Sequence, residues 1–443
     1  MSDELQTAHS PDPFGLPPGY GMEMLERLRE LAGGPELIEA AEGHEGRVEL
    51  VGGAVRDILL GGIPRELDVV VEEGVAELGR ALAERLDGEL TLHERFGTAL
   101  VRSETADVDL ATMRAESYSV PGALPDVSPG TPEEDLARRD FTVNAIALGL
   151  AGEHAGRIRA ADGALADLAE RRLAVLHYGS FRDDPTRILR LARYASRMLE
   201  FGFRVDDYTA ALAEEALREG ALRTVSGERL GAEARLAMRE RDSVASLAEF
   251  ERMGILAAWE PGVSFDAGAT RIALQLLPID GSVTVTLAGA LLLELCEYLD
   301  KEDTEPAIRG FLHDLALPAG IGERVFGVAV TASVAIMRMA RSDTTSDILE
   351  VTIGAPVEAM ALAGGVCEID DGPDSYGKRL AEEWIDDRRH VKLEVTGEDL
   401  IAAGVPEGPE VGVRLEESYR LLLEERIAPG RESELKAALE ARI

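Results

Sequence analysis

The stretch Val48–Glu73, VELVGGAVRDILLGGIPRELDVVVEE, constrains the fold more than any other part of the chain. Val48–Val51 alternates as a strand, Gly52 and Gly53 free the backbone to turn, and Ala54–Leu60 has helical spacing. A second apolar run, Val69–Val71, follows within one helix length. The chain must therefore build a strand, a tight turn, a helix and a second strand in quick succession. Backbone N–H groups at such a helix start favour anions such as phosphate, although a Gly-Gly pair alone is as consistent with an ordinary turn.

Glu66 and Asp68 bracket Leu67 at the start of the second strand. A period of two predicts that both acids project from one face while Leu67 enters the core. Two carboxylates on one face suit a hard cation such as Mg²⁺, whose octahedral shell commonly takes one or two protein carboxylates, with phosphate oxygens and water completing it. The alternative is a solvated strand start. Ala106–Thr112 (ADVDLAT) alternates acid and apolar residue again, which makes Asp109 a candidate third carboxylate because it lies deeper in the apolar run than Asp107. The alternative for this segment is a solvent-facing edge strand.

Thr131-Pro132-Glu133-Glu134 fits a capping box with Pro in the first helical position, so a short helix should end at Arg138, Arg139 and Asp140. Cations at a helix C-terminus are also favourable for structural reasons alone. Asp184-Pro185 reads as another helix start, with Asp184 as N-cap. Arg187, Arg190, Arg193 and Arg197 then recur at intervals of three and four along one helix face. A carboxylate only accepts hydrogen bonds and a guanidinium only donates. An Asp184–Arg187 pair therefore suits cytosine and adenine, which present an amino donor beside a ring-nitrogen acceptor, and mismatches uracil and guanine. A wrong base would leave buried polar groups unpaired at about 1–3 kcal/mol each. Between these segments, Arg114–Gly130 is rich in Pro, Gly and Ser and too long for an ordinary turn, which marks either a functional loop or a disordered excursion.

The ordered set GGAVRD (Gly52–Asp57), Glu66-x-Asp68, DLATMRAESY (Asp109–Tyr118), RRDFTVNA (Arg138–Ala145) and DDPTRILRLARY (Asp183–Tyr194) resembles the class II tRNA nucleotidyltransferases, the bacterial CCA-adding enzyme and poly(A) polymerase family. A later segment, Val395–Gly412, is similar to the family's C-terminal tail. The resemblance implies an α+β nucleotidyltransferase head with a mixed sheet, followed by all-helical neck, body and tail. The expected boundaries are a flexible tail at 1–22, the head at 23–180, a neck with the base-reading motif at 181–245, a body at 246–394 and a tRNA-binding tail at 395–443. The implied reaction is Mg²⁺-dependent addition of C and A from CTP and ATP to the 3′ end of tRNA. Its narrower alternatives are addition of CC only, of A only, or of poly(A); a catalytically impaired tRNA-binding protein is a further one.

By the same resemblance Glu66, Asp68 and Asp109 are catalytic, with Glu66 and Asp68 on the metal. Gly53, Arg56, Arg190 and Arg193 hold the triphosphate, Arg138 and Arg139 hold phosphate, and Asp140 accepts from the ribose. Asp184 and Arg187 read the base, and Gly52, Asp57 and Asn144 complete the nucleotide site. The family usually has Asp-x-Asp where this chain has Glu66-x-Asp68, a difference that bears on rate more than on chemistry. The 114–130 segment is expected to help position substrate as specificity changes from C to A.

Composition adds a conflict. Of 443 residues, 83 are acidic and 46 basic, giving a net charge of −37, whereas phosphate contacts supply most of the affinity for nucleic acid. The two are compatible if arginines concentrate on one concave face. Lys301, Lys378, Lys392 and Lys436 are the only lysines, so almost all positive charge is arginine, the better bidentate phosphate ligand. An acidic exterior is also what adaptation to salt produces.

Cys296 and Cys367 are isolated from each other and should be buried thiols in a reducing compartment. The N-terminus lacks the apolar core of a signal peptide, and Val283–Cys296 is too short to span a bilayer, so a cytoplasmic protein with no membrane partner is expected. Ser226–Arg229 reads as a helix entry. His313-Asp314 looks like half of a metal-phosphohydrolase pair, but no partner ligands lie at usable spacing. Gly404–Pro409 reads as a tight turn between helices whose N–H groups suit an RNA phosphate.

Overall fold

The computed structural model describes residues 16–17, 19–93, 97–297, 303–341 and 352–441. The chain divides into two compact units, Met1–Val225 and Ser226–Ile443. The unit boundary falls inside the expected 181–245 neck. Most of the expected 1–22 tail lies outside the described residues, but its end does not: helix α1 (Tyr20–Arg29) already begins at Tyr20.

In the first unit α1 and α2 (Gly34–Glu42) precede strand β1 (Val48–Val51), helix α3 (Gly53–Leu59), β2 (Leu67–Val71) and α4 (Val75–Leu86). Then come β3 (Glu89–His93), β4 (Thr98–Arg102), β5 (Asp107–Thr112), β6 (Arg114–Ser117), β7 (Asp126–Pro129), α5 (Pro132–Ala137), β8 (Ile146–Gly149) and β9 (Ile158–Ala160). The main sheet has seven strands in the order β3-β4-β5-β2-β1-β8-β9. Its β2–β5 pair is parallel and its other pairs are antiparallel. The mixed sheet that the resemblance implied is thus present. All four residues of β1 are buried, as a strand with neighbours on both sides requires.

Three local expectations hold in detail. The capping box forms: Glu134 N–H donates to Thr131 Oγ1 at 3.2 Å and Thr131 N–H to Glu134 Oε2 at 2.7 Å. Leu67 is buried. The β5 segment is a strand, although it lies between β4 and β2 and so is not an edge.

One local expectation fails. Residues 114–130 are not a structureless loop: β6 and β7 form an antiparallel hairpin, with Arg114 opposite Pro129 and Ser117 opposite Asp126. The Pro and Gly content that suggested a loop falls largely in the eight-residue connection and at the hairpin ends.

The second unit is helical. Helix Gly227–Met238 begins at Ser226 as expected. Helix Val357–Asp371 runs so close to Ala267–Leu276 that a Cβ at Gly365 would collide with the Ala269 carbonyl, so glycine is required there. Helix Val283–Ala290 is buried from Val285 onward, helix Leu293–Cys296 is buried at Leu295 and Cys296, and both cysteines are free. Burial pushes the Cys296 thiol up to about 12, as for an inert core thiol. At the C-terminal end Leu400, Val405 and Ala438 form a small core of their own. In the Gly404–Pro409 turn, Gly404 and Val405 N–H already donate to the Ile401 and Leu400 carbonyls, so these two do not face a ligand. Among the described residues no helix is long and apolar enough to cross a membrane.

Candidate active site

The parallel β2–β5 pair sets the centre of the site. Asp68 stands directly opposite Asp109, with Leu67 opposite Val108 and Val69 opposite Leu110. Because facing residues in a parallel pair point the same way, the two carboxylates share a face and their apolar neighbours share the core. Glu66 precedes β2 and is exposed, and Asp109, expected to lie deeper than Asp107, is exposed as well, so both stand at the rim and Asp68 is the more enclosed carboxylate. Burial first, then Asp109 and Glu66, push the Asp68 carboxyl up to about 6 against the opposing pull of Arg139 and Arg56. Burial, Glu66 and Asp107 raise Asp109 as well, with Arg102 opposing. Carboxylates that disfavour each other's charge in this way suit a bound cation. Among the described residues no three or more His, Cys, Asp or Glu side chains make a metal cage. Asp68 and Asp109 side by side offer two protein carboxylates, a number that a hard divalent cation commonly takes with phosphate oxygens and water.

Gly52 caps α3 at φ 69°, in the region only glycine adopts freely. A Cβ there would lie 3.0 Å from Arg139 Nη1 and 4.0 Å from Asp68 Oδ2, so this turn, Arg139 and Asp68 converge. Gly52 N–H itself belongs to the sheet, donating to the Ile146 carbonyl at 3.0 Å. The N–H groups that can face a phosphate therefore begin at Gly53.

The arginines differ in how they are held. Arg56 is buried; it donates to Asp57 Oδ1 at 2.9 Å and to Asn144 Oδ1 at 2.7 Å. Asn144, also buried, donates through Nδ2 to Asp140 Oδ1 at 3.0 Å, so one amide ties Arg56 to Asp140. Arg138 and Arg139 both bind Asp135, a carboxylate only 1% exposed, at 2.7 and 3.0 Å. Arg138 also reaches Glu116 on β6 at 3.1 Å, which in turn takes Arg114 and the Tyr118 hydroxyl. Burial pushes Asp135 up, but Arg139 and Arg138 outweigh it and hold the carboxyl below its usual range.

Helix α6 (Ala164–Ala169) and the short α7 (Ser180–Asp183) precede α8 (Thr186–Met198). Asp184 sits between the last two, and its Oδ1 accepts from Thr186 N–H at 3.1 Å and Thr186 Oγ1 at 2.7 Å, so the capping role expected of it is present one residue out of register. The arginines of α8 do not form an exposed stripe. Arg187 and Arg193 are 4% and 6% exposed, and Arg190 pairs with Asp140 Oδ2 at 2.8 Å. Burial raises Asp140, but Arg190, the Asn144 amide, Arg187 and the Phe141 N–H together hold it below the usual carboxylate range.

Tyr194, at the end of the last motif, is ringed by guanidinium groups: Arg56, Arg193 and Arg197 lie 5.8, 5.1 and 5.4 Å from its centroid. It meets Phe141 edge to face at 5.6 Å. Positive charge from the helix and from the first turn is thus gathered around one aromatic ring.

The structure brings together most residues singled out in the sequence. Asp68, Asp109, Gly52 and Arg139 converge directly, and Arg56, Asn144, Asp140 and Arg190 form one chain of contacts. Asp135, Glu116, Ser180 and Tyr194 were not anticipated. Asp135 had a usable signal, since it lies three and four residues before Arg138 and Arg139 on a helix. Glu116 reaches Arg138 across 22 residues and had none; Ser180 lies seven residues before Arg187, but the break between α7 and α8 hid the contact. The pair at His313-Asp314 gathers no metal site: His313 is exposed, and Asp314 accepts from Trp259 Nε1 at 3.3 Å.

Residues 48–174 match the poly(A) polymerase head domain. An A-adding tRNA nucleotidyltransferase of Geobacter sulfurreducens is 29% identical over 372 residues, which is 82% of this chain and 41% of that protein. A CC-adding tRNA nucleotidyltransferase of Deinococcus radiodurans is 41% identical over 159 residues, 35% of this chain and 42% of that protein. The chain thus spans less than half the length of either relative. A solved CCA-adding enzyme without ligand superposes with a TM-score of 0.75 at 24% identity, covering 96% of both chains. The chain thus has the fold of the CCA-adding enzymes, and its residues 48–174 match the poly(A) polymerase head domain.

Proposed function

We propose that the chain transfers CMP and AMP from CTP and ATP to the 3′ end of tRNA, completing or repairing CCA without a nucleic-acid template. The register that sets Asp68 beside Asp109, facing the Gly52 turn and Arg139, carries this reading. Glu66 and Asp68 would hold Mg²⁺, which when bound supplies charge for the departing pyrophosphate and for ionisation of the attacking 3′-hydroxyl. Asp109 stands beside them to orient that hydroxyl. Arg139 holds the triphosphate against the turn at Gly53, with Arg190 and Arg193 behind it. Arg56 and Asn144 support Asp140, which is directed to the ribose. Asp184 accepts from the exocyclic amino group of C or A and Arg187 donates to its ring nitrogen.

Head, neck, body and tail are assigned to 23–180, 181–245, 246–394 and 395–443. The helices of the body and tail bind tRNA by shape, as duplex RNA is generally read. The location is the cytoplasm, where these substrates occur.

The test uses purified protein with Mg²⁺ and tRNA transcripts ending before CCA, after C and after CC, each with CTP, ATP or both. Products are resolved at single-nucleotide length. Extension of the first transcript through CCA is expected, and absence of extension on every transcript would overturn the reading. A second reading, addition of the terminal A alone, is favoured by the A-adding name of the relative that aligns with 82% of the chain. It predicts activity only on the CC-ended transcript.

A further inference from the structure

Most arginines around the site bind a carboxylate directly, whereas the hydrogen bonds that hold Arg187 go to neutral groups, although Asp140 also attracts its charge. Its guanidinium is 4% exposed and donates from Nη1 to Ser180 Oγ at 2.8 Å and from Nη2 to the Arg138 carbonyl at 2.8 Å. Both acceptors are neutral. Together they fix the plane of the guanidinium without cancelling its charge and leave further N–H groups for another acceptor. The Arg138 carbonyl is a firm anchor, because the Arg138 side chain is itself clamped by Asp135 at 2.7 Å and by Glu116 at 3.1 Å.

Ser180 has a second contact. It opens α7, and its carbonyl accepts the Asp184 N–H at 3.1 Å. One fully buried residue, 0% exposed, therefore touches both members of the base-reading pair: Asp184 through its backbone and Arg187 through its hydroxyl.

We propose that Ser180 is a specificity-determining positioning residue, whose hydroxyl sets the orientation of Arg187 relative to Asp184 and thereby the preference for C and A over U and G. This rests on the proposed reading of Asp184 and Arg187 as the base-reading pair. In Ser180→Ala the backbone contact to Asp184 survives, but Arg187 Nη1 loses its acceptor and the guanidinium can rotate. The wrong bases then become less distinguishable from the right ones.

The experiment measures kcat/KM for CTP, ATP, UTP and GTP in wild type, Ser180→Ala and Ser180→Thr, with thermal melting of each. The ratio of CTP to UTP is expected to fall at least about tenfold in the alanine variant and to recover in the threonine variant, which retains a hydroxyl. If Ser180→Ala does not melt as wild type does, Ser180→Cys, of similar shape but a weak acceptor, is read in its place with the same expected fall. A merely structural role would lower all four nucleotides together and leave the ratio unchanged, and that result overturns the proposal. A wild-type protein that incorporates nucleotides without preference would overturn the base-reading pair itself, which keeps the two failures distinct.

Discussion

Asp68→Asn should make the metal-free protein more stable while abolishing nucleotide transfer. The Asp68 carboxyl is raised from 3.8 to about 6, first by burial and then by Asp109 and Glu66. At about 1.4 kcal/mol per pH unit, the ionised form carries a penalty of about 3 kcal/mol. The sign follows from linkage. Below the unfolded value Asp68 is protonated in both states and adds nothing. As pH rises through the folded value, the unfolded chain releases its proton more readily than the folded one, so stability is lost until both are ionised. The neutral amide escapes this loss and keeps nearly the same shape.

In chelator, the stability difference between Asp68→Asn and wild type should be close to zero at pH 4. It should grow to about 3 kcal/mol by pH 8, which for a unit of this size is on the order of 5–10 °C in melting temperature. Differential scanning calorimetry across that pH range, following the transition that contains the sheet, measures it. Adding Mg²⁺ should stabilise wild type and leave the variant unmoved, because the amide is a poor replacement for a carboxylate ligand. A variant no more stable than wild type at pH 8, or a difference independent of pH, would refute the claim that crowded carboxylates strain this site.

Two further outcomes test the rest of the architecture. Asp135→Asn removes the carboxylate that holds Arg138 and Arg139 in a nearly water-free setting; breaking a buried ion pair from one side costs about 3–5 kcal/mol, so a loss of that order in denaturant unfolding is expected, and a loss below about 1 kcal/mol would mean that the pairs are dispensable. With a net charge of −37, self-repulsion should be relieved by salt, so the melting temperature should rise between about 0.1 and 1 M KCl as the Debye length shortens from about 10 to 3 Å; a flat or falling profile would show that the acidic exterior does not strain the fold.

Local chemistry made much of this molecule legible. The strand at Val48–Val51, the helix after Gly52 and the capping box at Thr131–Glu134 depend on neighbours a few residues away, and each forms as read. The alternation around Leu67 and Val108 likewise fixes which side chains enter the core. Pairings between distant segments were another matter. The 114–130 segment looked like a loop because turn residues dominate it, yet β6 finds a partner in β7 and hydrogen-bonds as a hairpin. The four arginines of α8 share a face by periodicity alone, but periodicity cannot say whether that face meets water or the interior. The structure turns it inward, onto Asp140, the Arg138 carbonyl and Tyr194.

The sequence by itself determined which residue types could do the chemistry and which short elements carry them, because helix caps, turns and strand alternation are set by contacts within a few residues. Only the tertiary structure decided that Asp68 stands opposite Asp109, that Glu116 joins Asp135 in clamping Arg138, and that Ser180 touches both Asp184 and Arg187. Those arrangements depend on strand register, on contacts between distant segments and on how α7 breaks into α8, where burial makes each unpaired polar group costly and so selects one arrangement among many that the local pattern allows.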